Sequence, residues 1–260
     1  MNNECCRTGA ELEAYLTRIG LDGQALPPTE ATLSAVIDAH LMHIPFEDLQ
    51  SWTTHTPPAQ DYAALYDKMV LHRRRGWCFE QNALLHAMLQ ALGFTVYPVG
   101  VRLTGIRSGL PAISHRAEIC TLDGQHYYCD VGYGGENLRS ANPQDRSVTP
   151  NGYIARQEDE YTVIYHAPDA PREVLKFVDH PYVVEDFDYV SFALAARPGL
   201  PFREHLYVSC LTPEGHRKLL FDNRLEETDG ETLVRSAEVS DRAALAALLL
   251  TEFGIEFDFG

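Results

Sequence analysis

The sequence predicts an α+β protein, because its three thirds carry different residue patterns. In the first third, apolar residues recur at intervals of three and four, which is the spacing of amphipathic helices. The middle third is rich in Val, Tyr and Ile and contains Asp-Gly, which is typical of antiparallel strands joined by tight turns. The last third combines hairpin patterns with a closing helix. We therefore expect three contiguous segments, 1–93, 94–182 and 183–260.

Four helices are expected in the first third, at residues 10–20, 29–42, 62–72 and 78–93. Thr29 is a suitable N-cap for the second helix, because its hydroxyl can accept from a free backbone N–H. Pro45 ends that helix, since it disfavours helical geometry at Ile44. Gly93 is a good residue for the left-handed position after the fourth helix.

The clearest strand signal is the hairpin at residues 116–131, because Asp123-Gly124 is a strong two-residue turn. The other expected elements of the middle third are strands at 94–103, 161–165 and 174–178 and a loop at 136–152. The last third is expected to hold strands at 206–209 and 218–221, a hairpin around Asp229-Gly230, and a helix from Ser240, its cap, to Gly254.

The composition is that of a globular protein. Hydrophobic residues make up 45% of the chain, yet no run of eighteen apolar residues offers a membrane span. The polar start lacks the apolar core of a signal peptide, so we expect a cytoplasmic location. The formal net charge of −16 argues against nucleic acid as a partner. The six cysteines include no C-x-x-C pair, so neither a bound metal nor a disulfide framework is expected.

Cys78 stands where a basic turn becomes a helix. The spacing places Cys78, Gln81 and Leu85 on the face that carries the apolar side chains, so the thiol should point inward at the first turn. Free backbone N–H groups and the helix dipole favour an anion there and lower the pKa of a thiol. A buried structural cysteine is the simpler interpretation of this residue alone, so a nucleophile also requires a base nearby.

The hairpin supplies that base. If Leu122 pairs with Gln125 across the turn, outward counting places His115 and Asp130 on one face of the hairpin. Such diagonal neighbours are roughly 7–8 Å apart at the backbone, within reach of both side chains. The carboxylate can then orient the imidazole and leave its other nitrogen for the thiol. A solvated strand histidine remains the alternative, since the chain has eleven histidines.

At this point the sequence resembles a known family. The octapeptide RGWCFEQN at 75–82 resembles the active-site motif of the arylamine N-acetyltransferases. The segments similar to further signatures of that family, in the same order, are HIPFEDL at 43–49, SHRA at 114–117, YCDVGYGG at 128–135 and FGI at 253–255. One departure is Arg75, which stands where the family usually has the first of two glycines.

The resemblance implies a helical bundle over 1–93, a β-barrel over 94–182 and an α/β lid over 183–260, with a core like that of cysteine proteases. It also implies a catalytic triad of Cys78, His115 and Asp130. The acyl donor would be acetyl-CoA or another acyl-CoA, with no metal. The acceptor would be a small aromatic amine, an arylhydroxylamine or a hydrazine.

The binding residues come from the resemblance and from the residues themselves. The resemblance implies that Tyr133, where the family commonly has Phe, shapes the acceptor pocket, and the glycines of the same turn, Gly132 and Gly134, allow a ligand to approach the backbone closely. Gly135 of this turn and Arg75, the cation that the departure adds, are the expected contacts of the acyl donor. The CoA phosphates need a local positive site, for which the basic candidates are Arg73, Arg74, Arg75, Arg197 and Arg203.

Three alternatives share much of this pattern. An amide synthase of the same family would take a carrier-bound acyl chain and use the same triad. A transglutaminase-like or papain-like hydrolase would combine Cys, His and Asp or Asn but act on an amide. A degenerate family member would bind a small aromatic molecule without turnover, although the presence of all three triad residues argues against it.

Overall fold

A computed structural model describes residues 8–105, 110–134, 138, 142–145, 147–166, 171–230 and 232–259. The helices are α1 (Gly9–Ile19), α2 (Glu30–His43), α3 (Leu49–Thr54), α4 (Tyr62–Tyr66), α5 (Cys78–Ala91), α6 (Val184–Ala196), α7 (Pro201–Glu204) and α8 (Arg242–Phe253). The strands are β1 (Phe46–Glu47), β2 (Thr95–Arg102), β3 (His115–Leu122), β4 (Gln125–Cys129), β5 (Asn142–Pro143), β6 (Tyr153–Glu158), β7 (Tyr161–His166), β8 (Arg172–Phe177), β9 (Tyr207–Leu211), β10 (Arg217–Phe221), β11 (Arg224–Asp229) and β12 (Thr232–Glu238).

The first helices begin and end where side chains satisfy free backbone groups. Thr8 and Glu11 form a reciprocal capping box at the start of α1, and Gly20 closes the helix in the left-handed conformation. The Thr29 hydroxyl accepts from the N–H of Thr32, as expected for the cap of α2. α2 ends at His43, two residues before Pro45.

The helix α5 is buried on nearly every side. Residues 78–89 are all buried, so the apolar stripe of the sequence pattern is only part of its buried surface. On one side α5 packs against α1, α2 and α4 in the largest apolar cluster. On the other side it contacts β2 and β3. The nucleophile candidate therefore begins a central helix, between the helical bundle and the sheet.

The third expected helix is interrupted. α4 ends at Tyr66, and a π-helical turn at Asp67–Leu71 replaces its continuation. Such turns widen the helix by one residue and change the direction of the side chains that follow. Spacing in the sequence does not indicate this change.

The middle third forms a seven-stranded antiparallel sheet in the order β5-β4-β3-β2-β8-β7-β6. Its edge strands β5 and β6 contact each other, so the sheet nearly closes into a barrel. The expected hairpin has the expected register, with Leu122 opposite Gln125. Both turn residues have positive φ, 50° at Asp123 and 81° at Gly124, which suits a turn of type I′.

The last third builds a second sheet with a strand from the first third. The order is β1-β9-β10-β11-β12, and Phe46 of β1 lies opposite Ser209 of β9. α8 covers one face of this sheet, and Asp241 rather than Ser240 caps it. α3, α6, α7, β1 and β6 are elements that the sequence patterns did not indicate.

The predicted α+β class is confirmed, with its helical part, its barrel-like sheet and its final α/β part. The segment boundaries at residues 93 and 182 stay a prediction, because β1 joins the sheet of the last third. Among the described helices, none combines the length and apolar character that crossing a membrane requires.

Replacing Gly124 by Ala should destabilise the protein by about 1–2 kcal/mol, the cost of a left-handed conformation at a residue with a Cβ. No atom lies within 4 Å of the added Cβ, so the effect would come from the backbone alone. Gly9→Ala is the matched control, because its Cβ also meets nothing and its φ is not positive. Urea unfolding should show no loss in the free energy of unfolding for Gly9→Ala. Equal midpoints for the two variants would contradict the role of the turn.

Candidate active site

Cys78 is the first residue of α5, and its side chain is almost completely buried. The turn before it is held through the carbonyl of Gly76. That carbonyl accepts a hydrogen bond from Gln81 Nε2 at 2.6 Å and from the N–H of Glu47 at 3.0 Å. Because both donors are themselves buried, the start of α5 has little freedom to move.

His115 and Asp130 meet beside this helix. His115 Nε2 lies 2.6 Å from Asp130 Oδ2, and both residues are 2% exposed. His115 is the first residue of β3 and Asp130 follows the last residue of β4, so the hairpin register brings them together. The diagonal pair expected from the turn is therefore present.

The pKa of His115 is set by opposing effects. Burial disfavours the imidazolium, but the charge of Asp130 and its hydrogen bond, with a further hydrogen bond to Cys78, raise the pKa above its ordinary value. Burial opposes the charge of Asp130 as well, yet His115, Asn82 and Tyr128 together lower the pKa of this carboxyl. Both partners are thus stabilised in their charged forms. His115 uses Nε2 for the carboxylate, which leaves Nδ1 for the thiol.

Asp130 is held by more than its histidine. Oδ2 also accepts from the hydroxyl of Tyr128 at 2.7 Å, and Oδ1 accepts from Asn82 Nδ2 at 3.0 Å and from the N–H of Gly132 at 2.9 Å. A carboxylate that accepts this many hydrogen bonds stays ionised and keeps one orientation. It can therefore hold the imidazole in the orientation that presents Nδ1 to Cys78.

Asn82 connects the helix that carries Cys78 to the hairpin that carries the other two residues. Its Nδ2 also donates to the carbonyl of Arg116 at 2.6 Å, and its Oδ1 accepts from the N–H of Val131 at 3.0 Å. Sequence reasoning missed Asn82 and Tyr128. The available signal for Asn82 was its position four residues after Cys78, on the same face of the helix.

The glycines after Asp130 allow the backbone to approach the helix closely. A Cβ on Gly132 would lie 2.5 Å from Cys78 Cα, so only glycine fits there. A Cβ on Gly134 would lie 2.8 Å from Phe46 Cγ. Between them, the half-buried ring of Tyr133 lies 5.6 Å from the His115 ring. The predicted contact Gly135 lies outside the described residues.

Arg75 connects the turn before Cys78 to the end of the chain. Its Nη1 donates to the carbonyl of Arg73 at 2.7 Å, and its Nη2 donates to the carbonyl of Phe253 at 2.8 Å. The guanidinium is half-buried, and burial lowers its pKa. Arg203, another basic candidate, donates to the carbonyl of Ala196.

The other described cysteines differ from Cys78 in their surroundings. Cys120, Cys129 and Cys210 are free thiols, as Cys78 is. Burial raises the pKa of Cys120 to about 12 and that of Cys210 to about 11, and it raises the pKa of Cys129 well above its usual range. Cys129 lies opposite Glu118, whose carboxylate pairs with His86 at 2.7 Å, but this thiol ends a strand and does not begin a helix. Within the described ranges, no group of three or more His, Cys, Asp or Glu side chains is placed to hold a metal ion.

Comparison with known proteins decides the family. The family model described as N-acetyltransferase matches residues 29–260. An arylamine N-acetyltransferase from Mycolicibacterium smegmatis is 30% identical over 256 residues, covering 95% of this chain and 92% of its own. The chain belongs to the arylamine N-acetyltransferase family. The resemblance inferred from the octapeptide RGWCFEQN is confirmed.

Solved structures of the same family share the fold. The arylamine N-acetyltransferase from Salmonella typhimurium superposes with a TM-score of 0.88 at 26% identity, covering 97% of this chain and 93% of its own. The Mycobacterium marinum arylamine N-acetyltransferase, solved in complex with CoA, superposes with a TM-score of 0.83 at 24% identity. The match covers 94% of this chain and 93% of the other. These matches do not favour the amide synthase or the transglutaminase-like and papain-like hydrolases.

Replacing Asp130 by Asn should leave the fold intact but slow alkylation of Cys78 by iodoacetamide at pH 7 by about tenfold or more, since one pKa unit changes a population tenfold. The amide removes the charge that stabilises the imidazolium, so the pKa of His115 falls and the thiolate–imidazolium pair is less populated. Alkylated peptides would be identified by mass spectrometry.

Tyr128→Phe is the matched control, because it removes one hydrogen bond from the same carboxylate without removing its charge. It should slow alkylation less than Asp130→Asn does. A wild-type rate in Asp130→Asn would remove this carboxylate from thiol activation.

Proposed function

We propose that this protein transfers an acetyl or other short acyl group from acyl-CoA to an arylamine, arylhydroxylamine or hydrazine through a thioester on Cys78. The observation that carries the proposal is the buried His115–Asp130 pair, 2.6 Å apart, beside a thiol at the first residue of a helix. Family membership supports acyl transfer as the reaction.

The first half-reaction would load Cys78. His115 Nδ1 accepts the thiol proton, and the thiolate attacks the carbonyl carbon of the acyl-CoA. The C–S bond to CoA then breaks, and CoA leaves as a thiol after it takes the proton back from the imidazolium. Asp130 stabilises the imidazolium throughout and is not itself protonated. The first backbone N–H groups of α5 lack partners within the helix. They are suited to stabilise the negative charge that develops on the carbonyl oxygen when the thiolate attacks.

The second half-reaction would unload the acyl group. The acceptor amine attacks the thioester carbon, and His115 takes the proton that the nitrogen loses. The C–S bond to Cys78 breaks, the proton returns to the thiolate, and the amide leaves. The same imidazole serves both halves, because donor and acceptor occupy the site in turn.

A thioester survives only where water is excluded. α6 provides this cover, since Phe187, Leu194 and Ala195 pack in one apolar cluster with Trp77 and Cys78. The ring centroids of Phe79 and Phe187 are 6.2 Å apart. The last third of the chain is thus the proposed lid over the acyl-enzyme.

The acceptor would approach over Tyr133. A cleft beside this residue has a mainly apolar lining, and the Tyr133 ring also contacts the ring of His115. The lining of the cleft includes Leu41, Ile44, Phe46, Val131 and Tyr133, with Ser209, Cys210 and Arg217 as further members. Aromatic rings stack and pack favourably against such walls. We propose that Tyr133, with the close backbone of Gly132 and Gly134, selects a small aromatic acceptor.

For the acyl donor, Gly135 and Arg75 stay the proposed contacts. Arg75 borders the turn before Cys78, where a cation would attract the phosphates of CoA in a chain of net charge −16. Its two carbonyl contacts also let it set the shape of the turn. A cytoplasmic location is part of the proposal, and the free thiols of the described cysteines are consistent with a reducing compartment.

Mixing the enzyme with acetyl-CoA alone should release about one equivalent of free CoA per active site, because an acyl-enzyme accumulates without an acceptor. The intact mass should increase by one acetyl group and return to its initial value when an arylamine is added. Rapid-quench CoA release and mass spectrometry measure the two events.

Cys78→Ala should show neither event, whereas Cys120→Ala, the matched control away from the acceptor cleft, should keep both. An adduct that maps to Cys120 or Cys210, or steady-state kinetics that require both substrates before CoA leaves, would exclude the thioester on Cys78.

Tyr133→Ala should change the relative rates among acceptors while acetylation of the enzyme stays nearly unchanged. The ring lines the acceptor cleft but does not hold the carboxylate of the triad. A panel of anilines and hydrazines should shift by about tenfold in relative kcat/KM, the scale of an aromatic contact of roughly 1–1.5 kcal/mol. An equal loss for every acceptor would show that Tyr133 does not select among them.

A further inference from the structure

Three charged side chains are buried together behind the start of α5. Lys68 Nζ lies 2.7 Å from Glu80 Oε1 and 3.7 Å from Glu47 Oε1. Their side chains are 13%, 1% and 3% exposed, respectively. Burying a charge is costly unless an opposite charge and hydrogen bonds compensate it. Nothing in the acyl-transfer steps uses this cluster, so its cost needs another explanation.

Both acidic residues of the cluster hold the turn before Cys78, Glu80 through its carboxylate and Glu47 through its backbone N–H. Glu80 Oε2 accepts from the N–H of Trp77 at 3.2 Å, directly before Cys78. Glu47 Oε2 accepts from the N–H of Leu49 at 2.7 Å, and the Glu47 N–H donates to the carbonyl of Gly76 at 3.0 Å. The two acidic residues therefore brace the turn that sets the position of Cys78.

Lys68 reaches these carboxylates from the π-helical turn at Asp67–Leu71. π-helical turns are rare and frequently accompany functional sites. The lysine is the second residue of this turn. The turn contacts α1 and α4, and α4 in turn contacts α5. The irregular backbone thus delivers an ammonium to a position where two carboxylates converge.

The charges of the cluster depend on one another. Burial raises the pKa of Glu80, and Lys68 acts in the opposite direction. Burial disfavours the charge of Lys68, but Glu80 and Glu47 outweigh it, so the pKa of Lys68 rises. The lysine is therefore charged at neutral pH, and its charge favours the ionised form of Glu80.

Other charged groups surround the cluster, and Asp67, His72 and Arg74 line the same surface cavity as Lys68 and Glu80. Arg74 repels Lys68, while Arg75 is attracted by Glu47. Asp48 lies beside Glu47, and burial raises its pKa well above the usual range. On the other side of the helix, the titratable groups in contact with Cys78 are His115 and, through it, Asp130.

We propose that Lys68 is a positioning residue for acyl transfer, whose ammonium compensates Glu80 and Glu47 and thereby lets Cys78 ionise at neutral pH in a fixed geometry. This inference rests on the proposed role of Cys78 as nucleophile. Lys68 contacts neither Cys78 nor His115 in the described contacts. It acts by holding the turn before Cys78 and through its electrostatic field behind α5.

The expected size of the effect follows from the geometry of the helix. Glu80 is two residues after Cys78, which places the two side chains on nearly opposite sides of a helix about 10 Å in diameter. Without Lys68, whatever carboxylate charge Glu80 retains against burial is no longer offset and disfavours the thiolate at this distance. For a unit charge about 10 Å away and an effective dielectric constant of about 20–40, the thiol would ionise about 0.5–1 pH unit higher.

The test is the pH dependence of Cys78 alkylation by iodoacetamide in the full-length enzyme. Lys68→Met should move the midpoint upward by about 0.5–1 pH unit. The double variant Lys68→Met/Glu80→Gln removes the paired charges together and should bring the midpoint most of the way back. If the lysine had only a structural role, the second substitution in Glu80 would not restore the alkylation midpoint.

Lys218→Met is the matched control. Lys218 Nζ pairs with Glu252 at 2.8 Å and is 19% exposed, so the variant removes a similar ion pair in the sheet of the last third. Its alkylation midpoint and its rate of CoA release should equal those of the wild type. Lys68→Arg, which keeps the charge but changes the shape, should keep the midpoint within about 0.3 pH unit of the wild type.

Unchanged midpoints in Lys68→Met, or a double variant that stays as far shifted as the single variant, would overturn the proposal. If Lys68→Met does not fold, Glu80→Gln is compared with the double variant. In the single variant the lysine keeps only Glu47 as its partner, so the midpoint should be lower than in the double variant, and equal midpoints overturn the proposal. A wild-type enzyme that releases no CoA from acetyl-CoA would instead reject the nucleophile itself.

Discussion

The buried amide of Asn82 joins the helical bundle to the barrel, and the candidate site depends on this connection. Its Nδ2 donates to the carbonyl of Arg116 and to the carboxylate of Asp130, and its Oδ1 accepts from the N–H of Val131. All three partners belong to the strands β3 and β4 or to the chain directly after β4, whereas Asn82 follows Cys78 by four residues. One side chain therefore sets the distance between the helix that begins at Cys78 and the hairpin that carries His115 and Asp130. Because an amide buried without these partners would be costly, the connection is also strongly favoured in the folded state.

Around this connection, the chain buries charged groups on both sides of the helix that begins at Cys78. On the front of α5, the carboxylate of Asp130 faces an imidazole and accepts from Tyr128, Asn82 and Gly132. On the back, two carboxylates share the ammonium of Lys68. Charges in such surroundings interact more strongly than in water, so their arrangement controls ionisation as well as stability. The acidic composition of the chain, with a net charge of −16, makes local compensation of this kind more important.

Two parts of the fold that are distant in sequence complete the site. α6 packs Phe187 and Ala195 against Trp77 and Cys78, which covers the thiol. The strand β1 pairs with β9, and this pairing places Phe46 against Gly134 at the acceptor cleft. Arg75 adds a third connection, from the turn before Cys78 to the end of α8. The first and last thirds of the chain therefore enclose Cys78 together, which explains why it is buried although it begins a helix.

The sequence by itself determined the parts of this site that depend on local rules. Asp123 and Gly124 adopt the positive φ values of a two-residue hairpin, so the register that brings His115 to Asp130 follows from counting. The position of Cys78 at the start of α5 likewise follows from the helical spacing after it. Only the tertiary structure decided the contacts between residues far apart in the chain. The π-helical turn, the Lys68 cluster, the pairing of β1 with β9 and the cover by α6 each depend on which surfaces meet during packing. The local conformational preferences of the residues carry no information about those surfaces. The free energy that selects them comes from burial shared between distant segments.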